Sequence, residues 1–462
     1  MTPATLATLA SINPANGEVV GEVPVTPSAE IPRIVARARK ALPSWKKLSL
    51  EERMAALLPG GKHLVENADT LGRLLTDEMG KPLREGIGEV KGSGATMKES
   101  LEEIAEALRP VELEDDHTES TLYYDPFGVC AAITPWNFPV GMPHWLILPA
   151  LMAGNTVILK PSEETPLIAQ AYVDALNEGL PEGVLQIIHG ADDQGKELVA
   201  ADVDMIAFTG SRETGKKIMA SASSGLKRVL LELGGKDPLI VLDDADLPKA
   251  ARFAAMNSFR NAGQVCVSTE RIYVQKKIAP EFEKALIEVT QELRVGPGTE
   301  EGVQIGPMIN AEQRDHVLGQ VEAAKKSGAR VVYGDSDHKG NFVTPTILAD
   351  LNHDMDIMCE ETFGPIACIA TFDSDDEAVR MANDTPFGLG AAVFGSDVNR
   401  AKNVARQLDS AMIGVNKGCG GASGSPWVGA KQSGYGYHSS KDGHRQFAQV
   451  RIVSSPKESA KG

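Results

Sequence analysis

The sequence predicts an α/β fold of more than one domain, and three observations lead there. The chain has 462 residues, more than one hydrophobic core ordinarily serves, so two or three domains are expected. Apolar residues make up 42% and charged residues 24%, the balance of a globular protein with a sizeable core. From Val129 onward, short β-branched runs alternate with helical stretches, the spacing of βαβ units in a parallel sheet covered on both faces.

The elements follow in chain order. Thr26-Pro27 offers a capping hydroxyl followed by proline at the first helical position, ahead of Ile31, Ile34, Val35, Ala38 and Leu42 at helical spacing. Helical patterns continue from about residue 50 to residue 108, with Glu and Lys on their outer faces. Residues 112–119 are acidic and polar, and 120–124 read as a strand. The runs of the alternating region are 129–133, 156–159, 185–188, 205–208 and 229–231. A second α/β pattern starts near 239–242 and extends to about residue 424, with strands at 271–274, 367–372 and 391–394. The tail, 446–454, reads as one more strand. No internal repeat or low-complexity tract interrupts this order.

Charge and cysteine usage exclude several classes of function. A net charge of −17 opposes an electrostatic grip on nucleic acid or on an anionic membrane. No apolar run has the length to span a bilayer. Met1-Thr2-Pro3-Ala4-Thr5 lacks the positive start and long apolar segment of a signal peptide. The five cysteines (130, 266, 359, 368 and 419) form no C-x-x-C pair, and the histidines show no ligand spacing, so no metal is expected. An odd, scattered set of thiols reads as reduced, hence a cytoplasmic protein.

Three segments carry chemistry. Gly263-Gln264-Val265-Cys266 offers a thiol after a small-residue turn, and Glu232-Leu233-Gly234-Gly235-Lys236 a carboxylate beside two glycines. A thiolate attacks carbonyl carbon, and a carboxylate strips a proton from a thiol or a water. Pro135-Trp136-Asn137-Phe138-Pro139 adds an amide able to donate to an oxyanion. A fourth segment, Phe208-Thr209-Gly210-Ser211, lies between a strand and a helix, where free amides suit pyrophosphate.

In residue type, order and spacing these segments resemble the signature of the aldehyde dehydrogenase superfamily, over almost the whole chain. The resemblance implies a Rossmann-like NAD-binding domain (residues 1–107 and 125–234) and an α/β catalytic domain (235–428). It further implies a small β bridging segment (108–124 and 429–462), against which a second subunit packs in a homodimer or homotetramer. Cys266 is then the nucleophile that forms a thiohemiacetal and a thioester with an aldehyde substrate. Asn137 and the Cys266 N–H are the oxyanion donors. Glu232 is the base for the hydrolytic water, which favours a free acid over transfer to coenzyme A. Pro135, Trp136, Thr209, Gly210 and Ser211 belong to the cofactor site, and Lys160 and Glu163 bind the adenine ribose. Glu163 repels a 2′-phosphate, favouring NAD with NADP tolerated. Glu361 holds the nicotinamide ribose, and Phe363 packs near the nicotinamide.

The substrate argument rests on fewer residues. In the family that the chain resembles, succinate-semialdehyde members typically carry an arginine six residues after the second proline of the PWNFP motif, and here that position is Trp145. Met142 lies one turn earlier on the same helix face, Trp427 matches an aromatic of the aldehyde channel, and Val265 and Val267 flank the nucleophile. Large apolar walls suit an uncharged aromatic or medium aliphatic aldehyde. The alternative is a semialdehyde whose carboxylate meets another cation, Arg271 or Lys417. A non-catalytic structural protein of the same fold is a third reading, opposed by the joint presence of Cys266, Glu232 and Asn137. The glycine-rich segment 418–424 reads as a roomy pocket wall, and His438 and His444 as surface or packing residues.

Overall fold

The computed structural model describes residues 7–335 and 337–457; the start at 1–6, residue 336 and the last residues, 458–462, lie outside the described residues. Two α/β sheets and one small antiparallel sheet organise the chain. In the first sheet the strands Arg228–Glu232, Met205–Thr209, Val129–Ile133, Thr156–Lys160 and Leu185–Ile187 lie side by side and parallel. Each is one or two residues offset from its predicted run at most. The sheet order reverses between Val129–Ile133 and Met205–Thr209, so a crevice opens at the carboxyl ends of that pair.

The β-branched runs form strands because both faces are covered. Cys130 and Ala132 point into one apolar cluster with Leu57, Leu75, Leu101 and Leu146. Val129, Ala131 and Ile133 point into another with Ile34, Val35 and Ile206. Burying one such Val, Ile or Leu side chain contributes roughly 1.5–3 kcal/mol. The helical region resolves into Leu50–Glu66, Ala68–Met79, Leu83–Ala95 and Met97–Leu108. Ser49 starts it with a capping box, accepting from Glu52 N while the Glu52 carboxylate accepts from Ser49 N.

The first predicted helix begins later than its sequence signal. Thr26 caps nothing; its hydroxyl accepts from His189 N at 3.0 Å and its N–H donates to the His189 carbonyl at 2.9 Å. Ser28–Glu30 forms a 3-10 turn, and the α-helix runs Ile31–Trp45 with Pro32 in its first turn. A tertiary partner therefore took the hydroxyl that local pattern assigned to a cap.

The second sheet orders Arg330–Tyr333, Thr346–Ala349, Ile366–Phe372, Thr269–Gln275, Asp237–Val241, Gly390–Phe394 and Met412–Val415. All pairs are parallel except the Arg330–Tyr333 edge. Glu232 ends a strand of the first sheet and Asp237 begins one of the second, so the chain crosses between sheets through residues 233–236 alone. The carboxyl end of one sheet thus faces the amino end of the other. The strand Gly434–Tyr435 returns to pair with Leu231 and Glu232. Val111–Glu114, Thr118–Pro126 and Ala448–Pro456 form the third sheet, so part of the acidic 112–119 stretch is strand. No helix among the described residues is long and apolar enough to cross a membrane.

Candidate active site

The Cys266 loop is built from residues in an uncommon backbone region. The helix Leu247–Phe259 ends, and Asn261, Ala262 and Gly263 follow with φ of 53°, 55° and 71°. Non-glycine residues there cost on the order of 1–3 kcal/mol each and persist where the surroundings over-determine them. Gln264 supplies that constraint: its side chain donates to the Asn261 carbonyl at 3.0 Å and accepts from Ile309 N at 2.9 Å. Gly263 has no substitute, because a Cβ would lie 1.9 Å from the Gly364 carbonyl oxygen. Cys266 follows, half-buried, with a main-chain N–H that donates to no group among the described residues. Burial pushes its thiol well above the ordinary range, and Asp237, Glu232, Glu361 and Cys419 push it further.

Glu232 completes its strand and is 3% exposed. Neither carboxylate oxygen has a hydrogen-bond partner among the described residues. Burial holds its pKa well above the usual carboxylate range, with the Trp427 indole a smaller influence in the opposite direction. Gly234 and Gly235 leave room for what packs against them, and at Gly235 the neighbour is backbone that cannot give way. A Cβ on Gly234 would sit 2.3 Å from a Glu361 carboxylate oxygen, and one on Gly235 2.4 Å from the Cys266 carbonyl oxygen. Glu361 lies against this pair, accepting from Gly235 N at 3.0 Å. Burial, with Glu270 next, pushes Glu361 up to about 8.

Asn137 is buried, and its amide nitrogen donates to the Gln264 carbonyl at 3.1 Å, which leaves one amide hydrogen unassigned. Its loop is fixed by a pair that the sequence did not single out. Lys81 Nζ donates to Glu89 at 2.6 Å and to the Asn137 carbonyl at 2.8 Å. Glu89 in turn accepts from Val140 N and Gly141 N, both at 3.0 Å, at the start of the helix Gly141–Met152. Lys81 precedes the helix Leu83–Ala95 and Glu89 lies within it, so the only local hint was a charged pair on a helix that proves to be covered.

Two cavities run across the crevice. One, of about 300 Å³, is lined by Lys160, Ser162, Glu163, Thr214, Lys217 and neighbouring residues. The other, of about 230 Å³, holds Cys266, Asn137, Trp136, Met142, Glu361 and Phe363, with Gln313 and His316 from the helix Ala311–Lys326. They share Pro135, Thr209 and Gly210, so one extended ligand can occupy both. Ser211 caps the helix Arg212–Ala222 at the rim, its hydroxyl accepting from Thr214 N. Lys160 donates to Glu163 at 3.1 Å. Trp136 meets Phe363 edge-on, with ring centroids 5.6 Å apart. The paired cavities, a helix N-terminus and a carboxylate at each end form a donor set suited to a dinucleotide.

On the far side of Glu232, Trp145 and Trp427 lie with ring centroids 5.9 Å apart, and His438 stacks on Trp145 at 5.6 Å. Neither tryptophan lines the cavity that contains Cys266, nor do Val265 and Val267, which flank the nucleophile half-buried. His438 and His444 are buried, not at the surface, and burial lowers His438 to about 3, so its ring is neutral. Arg271 is no substrate cation. It is 1% exposed and donates to the carbonyls of Lys236, Met381 and Ala382 and to the Tyr273 hydroxyl. Lys417 is exposed at the edge of the glycine-rich segment.

The chain belongs to the aldehyde dehydrogenase family, which it matches over residues 1–453. It is 40% identical to glutarate-semialdehyde dehydrogenase of Pseudomonas putida, over 96% of this chain and 94% of that protein. It is 38% identical to the succinate-semialdehyde dehydrogenase [NADP(+)] of Escherichia coli, over 96% and 93%. Among solved structures, betaine aldehyde dehydrogenase of Staphylococcus aureus in complex with NAD+ superimposes with a TM-score of 0.93 at 32% identity, over 98% of this chain and 93% of that one.

Proposed function

We propose that this protein oxidises an aldehyde to the free carboxylic acid with NAD, through a thioester on Cys266. The observation that carries this reading is Glu232: a buried carboxylate whose oxygens have no hydrogen-bond partner of good geometry among the described residues, close enough to the half-buried Cys266 thiol to raise its pKa. Bound NAD supplies the hydride acceptor. In its anionic form Glu232 takes the thiol proton, and the thiolate adds to the carbonyl carbon. The oxyanion accepts from the Asn137 amide and the Cys266 N–H, and each such donor is worth roughly 3 kcal/mol in the transition state. Loss of hydride from the tetrahedral carbon leaves an acyl thioester. Glu232 passes the thiol proton on to solvent and, anionic again, deprotonates a water, which adds to the thioester and expels the Cys266 sulfur as thiolate.

Lys160 and Glu163 receive the adenine ribose, Thr209, Gly210 and Ser211 the pyrophosphate, and Glu361 the nicotinamide ribose, with Pro135, Trp136 and Phe363 around the ring. Glu163 supports NAD over NADP, and the NADP(+) named for the Escherichia coli relative supports some use of both.

For the substrate, we assign an uncharged aromatic or medium aliphatic aldehyde. Trp145, Trp427 and Met142 support this wall, and the burial of Arg271 removes one cation that a semialdehyde would need. The second reading, a semialdehyde, draws on the names of the Pseudomonas and Escherichia relatives and, of Arg271 and Lys417, leaves Lys417 as the cation that remains. NADH formation from benzaldehyde and from succinate semialdehyde, without coenzyme A, separates them: a higher kcat/KM for benzaldehyde is expected, and the reverse selects the semialdehyde. The free thiols fit a cytoplasmic setting. Exposed Val450, Ile452 and Val453 on the outer sheet support a homodimer or homotetramer.

A further inference from the structure

One buried ion pair joins the three segments that carry Glu232, Cys266 and Glu361. Lys236 lies four residues beyond Glu232, and Glu270 four beyond Cys266. Their side chains are 0% and 3% exposed and meet at 2.5 Å. Glu270 also accepts from Thr362 N at 2.8 Å and from Phe363 N at 2.9 Å, so both its oxygens grip consecutive amides of the Glu361 turn. Lys236 Nζ reaches the same turn, donating to the Thr362 hydroxyl at 2.9 Å. That hydroxyl donates to Gln320 at 2.7 Å, and Gln320 donates to the Glu361 carbonyl at 3.3 Å.

The turn needs such a grip. Phe363 has φ +51°, a left-handed conformation that an aromatic residue adopts only under constraint. Its ring packs on Trp136 in the cavity that holds Cys266. Two consecutive amides directed at one carboxylate form an anion nest, and here the anion is a side chain of the strand Thr269–Gln275, which follows Cys266. A buried pair adds little net stability over an apolar replacement, so stability alone does not account for this one.

We propose that Lys236 and Glu270 are positioning residues: they hold Glu361 and Phe363 in register with Cys266, so that the carbon bound to sulfur faces the nicotinamide. The proposal rests on the reading of the second cavity as the nicotinamide site. It makes the pair act on NAD binding and hydride transfer and not on the reactivity of the resting thiol.

The test compares wild type with Glu270→Gln and with the paired replacement Lys236→Met/Glu270→Leu, which keeps an apolar fill if the single variant fails to fold. NAD affinity is read by quenching of tryptophan fluorescence, Cys266 by its rate of alkylation with iodoacetamide without NAD, and hydride transfer by the isotope effect with a C1-deuterated aldehyde. A weakening of NAD binding of about tenfold, a larger isotope effect on kcat and alkylation unchanged within about twofold are expected. NAD affinity and isotope effect equal to wild type in a folded variant would overturn the proposal. So would a parallel loss of affinity and alkylation that follows the fall in Tm. If wild type binds NAD but oxidises no aldehyde, the proposed reaction falls, and the comparison of NAD affinities still decides the role of the pair.

Discussion

Burial raises the pKa of both Cys266 and Glu232, which sets the pH behaviour. The proposed base works only when ionised, and burial raises its pKa, so kcat should climb with pH at values where an ordinary carboxylate is already fully ionised. Glu232→Gln should flatten that limb and lower steady-state turnover by about 10²-fold or more, measured from pH 6 to 9.5. Cys266→Ala should abolish turnover while leaving NAD binding intact, which fluorescence titration checks. Glu78 gives a separate test of linkage. It is fully buried, accepts from Leu167 N and Ile168 N, and burial raises it to about 7. A carboxyl raised in the folded state binds more protons there than when unfolded. Its stabilising contribution is therefore complete below its ordinary value of 4.5 and is lost as pH rises towards about 7. In Glu78→Gln the difference in Tm between pH 4.5 and pH 7.5 should shrink, even if Tm falls overall through a lost acceptor.

At the scale of elements, the site depends on loops that approach too closely for side chains. Gly263→Ala adds a Cβ that would meet the Gly364 carbonyl and forces a left-handed alanine. A loss of about 2 kcal/mol or more is expected, with the Cys266 alkylation rate changed as the loop moves. The Lys81–Glu89 pair sets the PWNFP loop from the helix Leu83–Ala95 and the residues just before it. Lys81→Met leaves a buried carboxylate with amide partners only, and the cost of breaking such a pair is about 3–5 kcal/mol. Thermal melting should show the loss, and kcat should fall more than aldehyde KM changes, because Asn137 is displaced from the oxyanion and not from the substrate's entry. None of this had a local signature: the reach of Lys81 to the Asn137 carbonyl exists only once helix and loop are packed.

At the scale of the molecule, the outer three-stranded sheet presents Leu113, Val450, Ile452 and Val453 to solvent. Ile452→Glu should shift the protein to a smaller species in light scattering, with folded content unchanged by circular dichroism, if that sheet is the subunit contact. The sequence alone determined the strands of the first sheet, since apolar runs covered on both faces have no other stable form. It also determined the chemical groups, because a thiol, a carboxylate between leucines and an amide flanked by prolines are recognisable by type and order. Tertiary structure decided what depends on distance. It took Thr26 from its helix for His189, turned Arg271 inward onto carbonyls, buried His438 against two tryptophans and joined Lys236, just before one strand, to Glu270 in its neighbour. Periodicity reports which face of an element is buried; it carries no information on which polar group of a distant segment will meet that face, and these assignments are made by such meetings.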